Sequence, residues 1–130
     1  MRKGTGATIQ AVVIAAGVSA FVAGSSPASA AGDAAAGQEV FARCAPCHST
    51  TLGEKKVGPS LAGVFGRESA SAPGYSYSAA LKALNVTWNE HTLDQFLASP
   101  AADVHGTKMF ISVPNATTRE DLIAYLKTLK

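Results

Sequence analysis

The chain has 130 residues, a formal net charge of +2 and only 15% charged residues, while 47% are hydrophobic. Setting aside the apolar N-terminal stretch with Arg2 and Lys3 leaves 9 basic residues against 9 acidic ones, a neutral remainder. That balance excludes a strongly basic nucleic-acid binder, and about 100 residues leave room for one small domain but not for a two-domain enzyme.

Residues 1–30 read as a secretory leader: Met1-Arg2-Lys3, an apolar middle from Ala11 to Gly24, then Ser25-Ser26-Pro27-Ala28-Ser29-Ala30. Cleavage after Ala30 is expected, leaving 31–130 as a single exported, periplasmic domain. The alternative is an uncleaved membrane anchor, which wants about 20 apolar residues. The stretch reaches that length only if Thr8 and Gln10 are tolerated near its end.

A first helix is expected from Asp33 to about Ala45, with Asp33 as N-cap and Val40, Phe41 and Cys44 at helical spacing. Gly37 inside it costs about 1 kcal/mol relative to Ala. Close approach of another helix would be a reason for it.

The two cysteines stand in Cys44-Ala45-Pro46-Cys47-His48, the Cys-x-x-Cys-His signature of covalent c-type haem attachment. Two thiols one turn apart can each add to a haem vinyl group, and the next histidine then lies under the iron. Three other readings stay open here. A thioredoxin-type redox pair needs a βαβ context, and zinc needs two more ligands when only His48, His91 and His105 are available. The third is a chance match.

Long Gly-, Pro- and Ser-rich loops follow at residues 49–60 and 66–74. They exceed what an ordinary small domain carries, and a haem would supply the missing core. A short helix is expected over Ser76–Leu84, and another over Asn89–Ser99 with Leu93, Phe96 and Leu97 inward, stopping before Pro100. Met109, in Gly106-Thr107-Lys108-Met109-Phe110, is the one methionine outside the leader. A haem that carries electrons needs a sixth ligand, and this sulfur is the expected one. The last segment reads as a helix opened by a capping box at Thr117-Thr118-Arg119-Glu120, with a stripe of Leu122, Ile123, Leu126 and Leu129. Nothing alternates like a strand, so the expected class is all-α, several helices and long loops wrapped around one haem.

These motifs in order, with Val57-Gly58-Pro59-Ser60-Leu61, Gly63-Val64-Phe65-Gly66-Arg67, Pro73-Gly74-Tyr75-Ser76-Tyr77-Ser78 and Thr87-Trp88, resemble the class I c-type cytochromes. The relatives in view are mitochondrial cytochrome c and its bacterial short-chain periplasmic relatives, and the likeness runs from Gly32 to Lys130. It implies one haem c held by Cys44 and Cys47, with His48 and Met109 as the iron ligands. It further implies that the Pro59 carbonyl orients His48, that Arg67, Tyr77, Trp88 and Thr107 serve the propionates, and that Gly37 and Tyr125 meet where the first and last helices cross. The function it implies is one-electron transfer, with no catalytic residues and no small-molecule substrate. The expected partners of the monomer are redox proteins: a quinol–cytochrome c reductase, a terminal oxidase or a periplasmic dehydrogenase. A haem with an open iron site and a tightly held dehydrogenase subunit are the other readings.

Three positions depart from the family pattern. Phe96 stands where many relatives have a tyrosine, and His105 where they have a proline; His105 could compete for iron if the ligand loop loosens. Ala101, Ala102, Asn115 and Ala116 replace lysines of the family's docking ring, leaving Lys55, Lys56, Lys108 and Arg43 and weaker electrostatic steering.

Overall fold

The computed structural model describes residues 31–130 together with Gly4 and Gly6; the leader assigned to residues 1–30 and its cleavage otherwise lie outside the described residues. The described chain forms five helices, α1 (Ala34–Phe41), α2 (Ala79–Leu84), α3 (Glu90–Ala98), α4 (Pro100–Asp103) and α5 (Ala116–Leu126). Apart from an isolated bridge between Glu68 and Thr87, it contains no β-structure among the described residues. Nor is any described helix long and apolar enough to cross a membrane.

Short polar side chains start the helices by taking amide hydrogens that the first turn cannot use internally. Asp33 caps α1, its carboxylate accepting from Ala35 and Ala36 N–H, and Ser78 caps α2 by accepting from Leu81 N–H. The capping box expected at Thr117 is not formed. Asn115 caps α5 instead, two residues earlier, accepting from Thr118 N–H at 2.9 Å, because its amide oxygen reaches the N3 donor. A reciprocal box occurs at α3, where Asn89 and Thr92 exchange side-chain and backbone bonds of 2.9 and 3.0 Å. Pro100 ends α3 as expected but also opens α4, a use its missing N–H and fixed φ permit at N1.

Gly37 meets α5 where α1 crosses it, with the Asp121 carbonyl and Tyr125 Cβ filling the space a Cβ would need. Phe41 stacks at a tilt on Tyr125, ring centroids 5.2 Å apart, and Asp121 Oδ1 accepts from Asp33 N–H at 2.7 Å. The expected crossing is therefore present, and Phe41 and Leu122 belong to one core cluster. Of the expected α5 stripe, Leu122, Ile123 and Leu126 are buried. Leu129 lies past the end of the helix and packs on the core from there.

Candidate functional site

α1 ends at Phe41, but the chain goes on turning: Cys44 and Ala45 N–H donate to Phe41 O, and Cys47 and His48 N–H to Cys44 O, at 2.7–3.0 Å. These loosened turns bring both sulfurs and the His48 ring onto one wall of an apolar cavity of about 490 Å3. Phe41, Leu61, Val64, Trp88, Leu93, Phe96, Leu97, Leu122 and Leu126 make up much of the remaining lining, and Met109 enters it from the loop after α4. Its size lies in the roughly 300–1,000 Å3 range of cofactor pockets.

His48 is fixed by its surroundings. Its Nδ1 lies 2.8 Å from the Pro59 carbonyl, the bond expected of a ligand-orienting acceptor, and this assigns the proton to Nδ1 and leaves Nε2 with a lone pair. Burial lowers the imidazole pKa, against a smaller opposing effect of the Pro59 carbonyl, so the neutral, metal-binding form is favoured. Gly58 N–H donates to Cys47 O at 2.7 Å, which closes the loop beneath the ring. Burial also raises the Cys44 thiol pKa, and the two cysteines are not joined to each other as a disulfide.

All four residues expected at the propionates line the cavity. Arg67 is divided in its loyalties: Nη1 donates to Ala62 O at 2.7 Å and Nη2 to Ser60 O at 3.0 Å, while Nε is buried without a protein partner. An orphaned donor on a cationic group is costly to bury alone, and a propionate oxygen would satisfy it. Tyr77 is buried; its hydroxyl accepts from Ala72 N–H at 3.1 Å and keeps its own proton to donate, burial having raised its pKa. Trp88 is buried against Phe96, ring centroids 5.2 Å apart. The Thr107 hydroxyl accepts from Met109 N–H at 3.3 Å, tying it to that residue's backbone. These residues fit a haem.

His105 is exposed and does not line the cavity. Phe96 does, and brings no hydroxyl. Two of the expected docking cations have other duties, since Lys56 Nζ donates to Ala45 O at 3.0 Å and Lys108 Nζ to Ser76 O at 2.8 Å. Among the described residues no group of three or more His, Cys, Asp or Glu side chains is placed to hold a metal, which leaves the zinc reading without a ligand set.

Sequence reasoning overlooked Tyr75, which lines the cavity and meets Tyr77 edge-on at 4.8 Å; its place two residues before Tyr77 in one motif was an available signal. It also overlooked the buried hydroxyls of Ser49 and Ser60. Ser49 donates to Glu54 at 2.6 Å and Ser60 to Thr51 O at 2.7 Å, so together they brace the loop that carries Pro59.

Known proteins agree with this geometry. The family model for cytochrome c matches residues 34–130. Cytochrome c of Euglena viridis is 45% identical over 101 residues, covering 76% of this chain and 99% of that protein. Cytochrome c2 of Rhodoblastus acidophilus is 45% identical over 102 residues, covering 77% and 95%. The solved structure of cytochrome cH from Methylobacterium extorquens superimposes with a TM-score of 0.70 at 45% identity, covering 75% of this chain and 99% of that one. The chain belongs to the cytochrome c family: an all-α electron carrier, not an enzyme, whose haem c is bound covalently through Cys44 and Cys47.

Proposed function

We propose that this protein is a periplasmic one-electron carrier, exported by residues 1–30 and cleaved after Ala30, with His48 and Met109 as the two axial ligands of its haem iron. The observation that carries the reading is that the His48 ring, locked by Pro59, and the Met109 side chain line the same apolar cavity as both cysteines. Bound there, the haem supplies an iron that cycles between Fe(II) and Fe(III). The chain's part would be to hold that iron with the His48 imidazole and the Met109 thioether and to surround it with apolar side chains, so that little rearranges when the charge changes. A thioether favours the reduced iron and raises the potential. Arg67 Nε and the Tyr77 hydroxyl, with the Trp88 indole, hold the propionates, and Thr107 steadies the Met109 backbone.

Donors and acceptors in this reading are membrane complexes, a quinol–cytochrome c reductase and a terminal oxidase, or a periplasmic dehydrogenase. The cavity mouth supports a protein partner: Val57 and Phe110 there are 75% and 86% exposed, beside the cations Arg43 and Lys108. The same apolar rim favours a second reading, a subunit held by a dehydrogenase, which gel filtration as a free monomer would eliminate.

The test is Met109→Ala in the holoprotein. The carrier gains carbon monoxide binding and its potential falls; unchanged carbon monoxide affinity means that the sixth site was open all along.

A further inference from the structure

Arg119 is the one charged residue of the described chain that is buried, at 9% exposure. Burying a guanidinium is costly unless its donors are met, so its partners show what the cost secures. Nε donates to Asp94 Oδ1 on α3 at 2.6 Å, and Nη1 donates to the carbonyls of both Val113 and Pro114, at 2.9 and 2.7 Å. Those two carbonyls end the loop that carries Met109. Val113 is itself buried, its N–H donating to Leu97 O at 2.8 Å.

The segment between is held by little else. Phe110, Ile111 and Ser112 make no hydrogen bond among the described residues, and Phe110 and Ile111, at the rim of the cavity, are exposed. On the other side of Met109 the anchors are local: Thr107 N–H to Val104 O at 3.0 Å, Met109 N–H to the Thr107 hydroxyl, and Lys108 to Ser76 O. The loop is thus a span tied at both ends, its far end by the Val113 N–H bond to Leu97 O and by the Arg119 side chain, which alone holds the two carbonyls.

We infer that Arg119 is a positioning residue for the iron ligand: by clamping the Val113 and Pro114 carbonyls to α3 and α5, it keeps the Met109 sulfur within reach of the iron against competing ligands. The inference rests on Met109 ligation as proposed above. Without the clamp the span samples detached arrangements, and an outside ligand binds more tightly in proportion to the fraction detached.

The experiment titrates imidazole into the ferric holoprotein and follows loss of the long-wavelength sulfur-to-iron band. Arg119→Lys keeps a cation near Asp94 but cannot reach carboxylate and both carbonyls together, and imidazole affinity rises about tenfold, the worth of one charge-assisted hydrogen bond. Asp121→Ala, which removes the α1–α5 bond to Asp33 N–H, lowers thermal stability but leaves imidazole affinity within about twofold. If Arg119→Lys fails to fold around haem, Asp94→Asn carries the test, with a rise of a few-fold.

Wild-type imidazole affinity in the clamp variant, or an equal rise in Asp121→Ala, makes Arg119 mere cement between helices and overturns the inference. A wild-type protein without the sulfur band overturns the Met109 reading itself, and the clamp with it.

Discussion

Gly58 lies directly against His48: a Cβ built on the glycine would sit 2.6 Å from the ring's Cε1, 2.9 Å from Nδ1 and 3.2 Å from the Cys47 carbonyl oxygen. The ring cannot swing away without giving up its 2.8 Å contact with Pro59 O, and the backbone on the other side is tied by the bond from Gly58 N–H to Cys47 O. The glycine is a requirement of space.

Gly58→Ala is therefore expected to destabilise the holoprotein by about 1–3 kcal/mol, the usual cost of overpacking. It also disturbs His48, so the Soret band shifts in the folded protein. Thermal unfolding and the visible spectrum, measured on the same sample, check both effects.

Gly37→Ala should be costly in spite of alanine's better helix propensity, worth about 1 kcal/mol. The new methyl meets the Asp121 carbonyl and Tyr125 Cβ, both on the backbone or next to it, so α1 and α5 must separate. A net loss of about 2 kcal/mol is expected in denaturant unfolding, the upper end of the overpacking cost less the propensity gain. A neutral or stabilising result would mean that the crossing has slack.

Glu54 gives a pH dependence whose sign follows from its partner. Its carboxyl is held below the ordinary 4.5, chiefly by the hydrogen bond from the Ser49 hydroxyl, with smaller help from Thr51 and Lys56. A group with a lowered folded pKa stabilises the fold above its unfolded value and loses that contribution as the pH falls through the folded one. Stability should thus decline below about pH 4.5 through this group. In Ser49→Ala the Glu54 carboxyl should titrate nearer its ordinary value, as carbon-detected NMR would show.

Electrostatic steering should be weak. Residues 31–130 carry 9 basic and 9 acidic side chains, and Lys56 and Lys108 each spend a donor on a backbone carbonyl. Raising ionic strength from about 0.01 M to about 0.15 M shortens the screening length from about 30 to about 8 Å. The bimolecular rate with an anionic redox partner should fall by less than about tenfold. Stopped-flow mixing over a salt series measures it, and a steeper fall would reveal a charged patch that the formal charges understate.

Much of this was legible in the sequence because haem attachment needs its residues consecutively: two thiols and an imidazole in five positions leave little room for another chemistry. The helices carrying Phe41 and Leu93 were legible from period, and the α1–α5 crossing from one costly glycine. What escaped depends on choices between near-equal local options or on contacts far apart in sequence. Asn115 and Thr117 both suit an N-cap, and only the backbone decides; Pro100 reads as a stop although it is also a start. Arg119 looked like a member of a capping box, whereas its partners, Asp94 and the Val113 and Pro114 carbonyls, are brought to it by the packing of α3 on α5. Nothing in the sequence announced that Lys56 and Lys108 bind backbone.

In the proposed reading His48 and Met109 would ligate the same haem iron. The visible spectrum of the haem-loaded protein, oxidised and reduced, tests it most directly. Sharp c-type bands are expected on reduction and the weak long-wavelength sulfur-to-iron band on oxidation, the latter lost in Met109→Ala. Haem bound through both cysteines with no sulfur band in the oxidised wild type would contradict it, and would leave the sixth position open or held by another side chain.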